Sequence, residues 1–221
     1  METFAITSGK IRVSDPCYTK DTWCAGVLEN VLNGNWVAEK VVYGNDVTGW
    51  GDRIGELRIF HIHHTHQNAT ELTKIDVGVD SGQAGFFDED QYPEGETGEY
   101  GNEETFYGKV CEGTAGEEII YEEPMYDEHM MKLYETLFLN PENETYANGR
   151  GQEIIDKMRV EKVKRTTHNY LGIANVGFGV ATHSGYGDGG YRCYIGRNTD
   201  GKIVSAKIVF IDPNDEEEDE E

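Results

Sequence analysis

The segment Val180–Phe210, VATHSGYGDGGYRCYIGRNTDGKIVSAKIVF, decides the fold. Apolar and polar residues alternate on both sides of its glycine-dense run, which is the periodicity of β-strands. A glycine at the end of Asn198–Gly201 suits the left-handed geometry of a hairpin turn. The predicted core face of the return strand consists of Val204, Ala206, Ile208 and Phe210. We therefore predict strand, loop, strand, turn and strand, ending in an antiparallel hairpin.

The glycine-dense run Ser184–Tyr191 contains the least generic pattern in the chain. Glycine adopts positive φ angles and lets another backbone or a ligand approach closely. Asp188 lies between two of these glycines, where its carboxylate either bonds neighbouring amides or faces a bound group. Successive amides around Gly187–Gly190 would alternatively form a concave anion site. The residues leave these alternatives open.

Two other predicted strands also end at a turn that carries a carboxylate. The alternation over Ile75–Val79 stops at Asp80–Gly85, where Asp80 suits the capping of the amides that follow it. An earlier strand stops at Asp15–Pro16, because proline has no amide hydrogen to donate to a ladder. Loops on a rigid sheet are where binding residues concentrate.

We predict that these three turns line a cleft at one end of the sheet structure. The candidate ligand-binding residues are Asp15, Tyr18, Asp80, Ser81, Gln83, Ser184, Tyr186, Asp188 and Tyr191. The predicted occupant of the cleft is a small molecule.

Several histidines lie at the end of a strand that is predicted within Arg53–His66. On a continuous strand, His61 and His63 lie on one face about 7 Å apart. Two imidazoles on one face can converge on one metal ion, but no downstream signature supplies a third ligand. The alternatives are an exposed polar strand end and a divalent-metal site at His61 and His63. No other cofactor is predicted.

The chain is strongly acidic, with 42 Asp and Glu, 19 Lys and Arg, and a net charge of −23. Part of this charge lies in Asp212–Glu221, which we predict to be a disordered tail. The electrostatic field of such an acidic protein repels phosphate backbones and anionic membranes, so we expect neither nucleic acid nor membrane as a partner. The charge is interpreted first as a means of keeping the protein soluble; the alternatives are a basic protein partner and mimicry of nucleic acid.

Composition favours an ordered, β-rich protein. The chain has 221 residues, 27 glycines and 5 prolines, and 11% of its residues are aromatic. These values suit a packed core with many tight turns. The fold class is mainly β: an antiparallel β-sandwich or a strongly twisted sheet, with one or two packed helices. A single domain is expected over 1–211.

Two helices form a predicted insertion at about 124–165. Met125–Leu139 carries an apolar stripe at helical spacing and ends before Asn140–Pro141. A shorter helix is expected within Gln152–Arg165, which continues into a basic patch.

Four stretches, taken in order, resemble the domain-of-unknown-function 4241 family of bacteria and phages. They are Ser14–Tyr18, Val79–Asp88, Phe106–Cys111, and Ser184–Tyr191 with the Gly201 hairpin. The resemblance implies a compact β-rich domain of bacterial or phage origin and no established activity. The helical segment and the acidic tail depart from it and look like additions.

The expected location is the cytoplasm of a bacterium or an infected host. The four cysteines show neither CxxC pairing nor zinc spacing, so free thiols in a reducing compartment are expected. Met1–Lys10 lacks the basic and apolar regions of a signal peptide.

The predicted function is a non-enzymatic binding domain. One alternative is an enzyme, hydrolase-like, that uses Asp80 and Asp188 as an acid–base pair or zinc at the histidines. The sequence offers no nucleophile elbow, P-loop or HExxH motif. The other alternative is an acidic interaction or inhibitor protein that binds a basic partner.

Overall fold

The computed structural model describes residues 1–64, 69–96, 98–113, 115–124, 128–139, 151–168 and 170–214. The chain forms two compact units, one of Met1–Ala115 with Asn169–Glu221 and the other of Gly116–His168. The predicted division into a domain at 1–211, an insertion and a tail stays a prediction, and positions 215–221 lie outside the described residues. Within the described part, no helix is long and apolar enough to cross a bilayer.

The strands are β1 Glu2–Ile6, β2 Ile11–Ser14, β3 Gly26–Leu28, β4 Gly34–Tyr43, β5 Arg53–His61, β6 Glu71–Val79, β7 Gln83–Asp88, β8 Ala115–Pro124, β9 Val160–His168, β10 Ile173–Asn175, β11 Gly179–His183, β12 Gly189–Arg197 and β13 Ile203–Val209. The α-helices are α1 Asn45–Thr48, α2 Gly108–Gly113, α3 Glu128–Phe138 and α4 Gly151–Arg159, and a π-helix spans Glu103–Tyr107.

Two sheets make up the larger unit. One has the order β1-β4-β5-β13-β12-β6 and the other the order β10-β11-β7-β2-β3. Their paired strands are antiparallel. One buried apolar cluster takes side chains from both sheets, including Trp36 and Leu57 from the first and Phe86 and Val13 from the second. The predicted mainly β fold with antiparallel sheets is therefore confirmed.

The carboxy-terminal hairpin forms as the alternation predicts. Ile195 of β12 lies opposite Ala206 of β13, and Gly201 has a φ of 77° in the turn. A register shift follows Gly196, and β13 is buried on both of its faces over Ile203–Ala206. Ser205 is 3% exposed, although the alternation of apolar and polar residues places its side chain on the face opposite the predicted core face.

A second apolar cluster covers the outer face of the five-stranded sheet. Phe87 of β7 and Ala181 of β11 belong to it together with Phe106 of the π-helix and Val110 of α2. All six residues of β7 are consequently buried. The stretch Phe106–Cys111, which carries part of the family resemblance, is therefore helical.

The smaller unit contains both helices of the predicted insertion. Helix α3 lies within the predicted Met125–Leu139, of which residues 125–127 are outside the described part. Helix α4 ends at Arg159, and the basic residues that follow form strand β9, which pairs with β8. Valine and threonine recur in β9 and favour extended backbone.

Candidate functional site

Two connections between the sheets lie side by side at one end of the larger unit. Residues 80–82 connect β6 to β7, and residues 184–188 connect β11 to β12. The amide of Ser184 donates a hydrogen bond of 3.0 Å to the carbonyl of Gly82. The two glycine-bearing turns that the sequence predicts to share a cleft are thus neighbours.

Asp15 ties the third predicted turn to this end. Its fully buried carboxylate accepts hydrogen bonds from the amides of Cys17 (2.8 Å), Asp80 (2.9 Å) and Ser81 (2.7 Å). The Ser81 hydroxyl donates a fourth bond of 2.7 Å. Because all four bonds stay within the protein, Asp15 holds the β6–β7 turn in place and does not face solvent.

A pocket of about 490 Å³ opens beside this anchored turn. Its lining residues are Cys17, Asp80, Ser81, Tyr100, Glu103 and Tyr107. The Asp80 side chain is exposed, and its Oδ2 accepts a bond of 2.7 Å from the Tyr100 hydroxyl. Hydrogen bonds from Tyr100 and then Tyr18 lower the pKa of Asp80 below the usual carboxyl value. Asp80 is therefore a carboxylate anion throughout the neutral range.

Tyr100 and Tyr107 form the aromatic part of the pocket lining, whereas the predicted site residue Tyr18 is 2% exposed and does not line it. The Tyr18 and Tyr100 rings lie 5.8 Å apart at 47°, and the Tyr107 hydroxyl donates to the Ser81 carbonyl at 3.4 Å. The bond to Asp80 raises the pKa of Tyr100 to about 12. Burial likewise raises the pKa of Tyr107. Both phenols stay protonated at neutral pH and act as hydrogen-bond donors.

The thiol in the pocket is not an activated nucleophile. Burial, and after it the charge of Asp15, raises the pKa of Cys17 well above the ordinary thiol value. Burial also raises the pKa of the nearby Cys24. Thiol nucleophiles react as thiolates, which are favoured by lowered pKa values. The raised pKa therefore argues against thiolate chemistry at Cys17.

The glycine-dense loop is closed by its own hydrogen bonds. The Ser184 hydroxyl donates to the Gly187 carbonyl at 2.7 Å, and the Tyr191 hydroxyl lies 2.9 Å from the Ser184 carbonyl and 2.6 Å from that of Gly187. The Tyr186 hydroxyl donates to the Thr48 carbonyl at 3.1 Å. These three predicted site residues hold the loop beside the pocket and do not line it.

Asp188 and Gln83 complete the predicted set. The Asp188 side chain is exposed and makes no hydrogen bond with any described residue, so its carboxylate does not bond the neighbouring amides. Gln83 is 1% exposed, and its Nε2 lies 3.5 Å from the Cys111 sulfur. Since Tyr107 also bonds Cys111, Gln83 supports the pocket wall from behind.

Sequence reasoning missed four lining residues, namely Cys17, Tyr100, Glu103 and Tyr107. Tyr100 and Glu103 lie within the acidic, glycine-rich stretch Pro93–Glu104, whose composition predicts an exposed loop. The presence of a tyrosine in a polar loop could have identified Tyr100 as a candidate, because aromatic side chains in such loops often contact ligands.

The histidine pair does not share a strand face. Strand β5 ends at His61, and the chain then turns, with the His64 amide donating to the His61 carbonyl at 2.7 Å. His61 is 6% exposed, and burial lowers its pKa. The His61 ring lies 5.5 Å from that of His63 and 5.7 Å from that of His64. Among the described residues, no group of three or more His, Cys, Asp or Glu could hold a metal ion.

The family relationship rests on most of the chain. A family model described as "Protein of unknown function (DUF4241)" matches residues 4–208, a range that includes all six lining residues of the pocket. No curated protein and no solved structure matches the chain significantly. The chain belongs to the DUF4241 family of proteins of unknown function.

Proposed function

We propose that the protein is a non-enzymatic binding domain whose pocket takes a small organic cation such as a primary amine or a guanidinium group. The observation that carries the proposal is the Asp80 carboxylate, kept ionised by two phenols at the mouth of an aromatic-walled pocket of about 490 Å³. That volume lies within the range of small-molecule sites, about 300–1,000 Å³.

The charge of the lining supports a cationic ligand. Asp80 and Glu103 each bring a negative charge, and none of the six lining residues is basic. Tyrosine rings add faces that attract cations. An anionic ligand would meet two carboxylates without a compensating charge, and the exposed Asp188 also weighs against an anion at the glycine-dense loop.

The same lining argues for binding rather than turnover. A general acid or base works best when its pKa lies near the operating pH. The pKa of Asp80 is lowered, so this side chain lacks the proton that the acid of an Asp80–Asp188 pair would donate. Histidine and lysine are both missing from the six lining residues.

The proposed location is a reducing one, the bacterial or infected-host cytoplasm. Within the described residues, Cys17, Cys24, Cys111 and Cys193 form no disulfide. A bacterial or phage origin accords with the family resemblance.

Calorimetric titration of agmatine and cadaverine into the purified protein tests the proposed function. We expect saturable binding of both, no binding of glutarate, and weakening on the order of tenfold or more in Asp80→Asn, because a hydrogen-bonded charge pair is lost. The matched control is Asp200→Asn, which makes the same charge change in the exposed hairpin turn. Equal affinities of Asp80→Asn and the wild type, or no cation binding at all, would contradict the proposal.

A further inference from the structure

A second concavity, of about 540 Å³, is lined by residues 19–23 and by residues 94–96, 98 and 99. We call it the Trp23 groove. Trp23, one of its lining residues, is 84% exposed. Lys20 forms an ion pair of 3.0 Å with Glu94.

Three further carboxylates give the Trp23 groove its charge. They belong to Asp21, Glu96 and Glu99, which are exposed and have no basic partner among the described residues. The groove therefore keeps a negative charge that its own lysine does not balance. A cationic partner would restore that balance.

The pocket and the Trp23 groove are lined by different residues of the same two backbone segments. Cys17 and Tyr100 line the pocket, and their near neighbours Thr19 and Glu99 line the groove. The Thr19 amide donates to the Glu99 carbonyl at 3.0 Å, and the Asn102 amide donates to the Cys17 carbonyl at 3.1 Å. The same two lengths of backbone, bonded to each other, thus separate the two concavities.

The chemistry of the groove suits an arginine or lysine side chain. An indole face attracts a cation, most strongly when carboxylates stand nearby to accept its N–H groups. Exposed tryptophans are also the residues that most often dominate protein interfaces. A chain of net charge −23 would draw basic partners toward this surface.

The proximity of the two concavities favours a polypeptide over a free small cation. The backbone hydrogen bonds from Thr19 to Glu99 and from Asn102 to Cys17 lie between them. A polypeptide backbone can lie across both concavities and deliver two charged groups at a fixed spacing.

We propose that the partner of this protein is a basic polypeptide segment that places one Arg or Lys side chain in the pocket and a second on Trp23. The inference rests on the proposed function, since the first side chain occupies the cation pocket. It adds the class of the partner and a second contact point.

The test uses peptides that contain two arginines separated by Gly-Ser spacers of increasing length. Each has a matched peptide of equal length in which one arginine is glutamine. Calorimetry at low and at physiological salt gives the dissociation constants. At a spacing that fits both sites, we expect the two-arginine peptide to bind about tenfold or more tightly than its single-arginine partner, because the second contact is intramolecular.

Variants separate the two sites. Trp23→Ala should remove the gain of the second arginine and leave the affinity for single-arginine peptides unchanged, whereas Asp80→Asn should weaken both. Trp50→Ala is the matched control, because Trp50 is 76% exposed but lines neither concavity.

The outcomes distinguish this inference from the proposed function. If agmatine and single-arginine peptides fail to bind, the cation pocket itself is refuted. If they bind but no spacer length produces a gain, or if Trp23→Ala keeps the gain, the second contact is refuted. If spermine shows the same Trp23-dependent gain as the best peptide, the partner is a polyamine and the polypeptide is refuted.

Discussion

Strands β2 and β7 run antiparallel, and a buried aspartate stands at each end of the pair. At one end, Asp88 accepts bonds from the amide and hydroxyl of Thr7, from the Ser8 amide at 3.2 Å and from the Asp90 amide at 3.1 Å. At the other end, Asp15 holds the β6–β7 turn through four bonds. Both side chains are completely buried.

The two ends differ in what the anchored turn presents to solvent. The turn held by Asp88 presents Thr7 and Ser8, which line neither concavity. The turn held by Asp15 presents the Asp80 carboxylate to a pocket with tyrosine walls. A buried aspartate is therefore a structural anchor at both ends, and the turn held by Asp15 is the one that borders the proposed cation pocket.

The largest expected effect is that of Asp15→Asn. The amide group cannot accept all four hydrogen bonds, so buried donors lose their partners. We expect the free energy of unfolding to fall by about 2–4 kcal/mol and cation binding to weaken together with it. Urea denaturation and calorimetry measure the two quantities. Wild-type stability would show that the four bonds contribute little.

Asp88→Asn should reproduce the loss of stability without the loss of binding. Its anchor is built in the same way, so we again expect a decrease of about 2–4 kcal/mol. The pocket lies at the other end of the strand pair, so agmatine affinity of the folded protein should stay within about twofold of wild type. A parallel loss of affinity would mean that the two ends are coupled.

The pH dependence of the free energy of unfolding should reveal the contribution of the Asp88 carboxylate. Burial raises the pKa of this carboxyl, but the hydrogen bonds from Thr7 and Ser8 outweigh burial and lower it below the ordinary value. Its stabilisation is therefore present above the unfolded-state pKa, about 3.9, and is lost as the pH falls through the lower folded-state value. Urea midpoints from pH 7 to pH 3 should decline in acid, and less steeply in Asp88→Asn. If the urea midpoint declines equally with pH in Asp88→Asn and in the wild type, Asp88 does not cause the loss of stability in acid.

The smallest expected effect is that of Tyr100→Phe. Removing the phenol takes away the main cause of the lowered pKa of Asp80. Because Tyr100 is 48% exposed and an aspartate without this bond is still ionised at pH 7, we expect stability and agmatine affinity at pH 7 to change by less than about twofold. The loss of binding in acid should instead shift to higher pH. Calorimetry from pH 7 to pH 4 checks both, and an unchanged pH profile would refute the role of the phenol.

The sequence by itself determined the strands around Val180–Phe210, the hairpin turn at Gly201 and the breaks at Pro16 and Gly82. These features depend on alternation and turn chemistry, which act over a few residues and can be read directly. The same local rules failed at the histidines, because alternation from Ile59 onward cannot show that the chain turns after His61.

Only the tertiary structure decided which carboxylate anchors and which one faces the pocket. Asp15 and Asp80 look alike in the sequence, since each follows a strand and begins a turn. Asp15 is buried because it bonds Ser81, 66 positions further along the chain. Asp80 is exposed beside Tyr100, which belongs to a segment without strand or helix periodicity. Burial and partner choice depend on contacts between distant segments, and local patterns carry no information about such contacts.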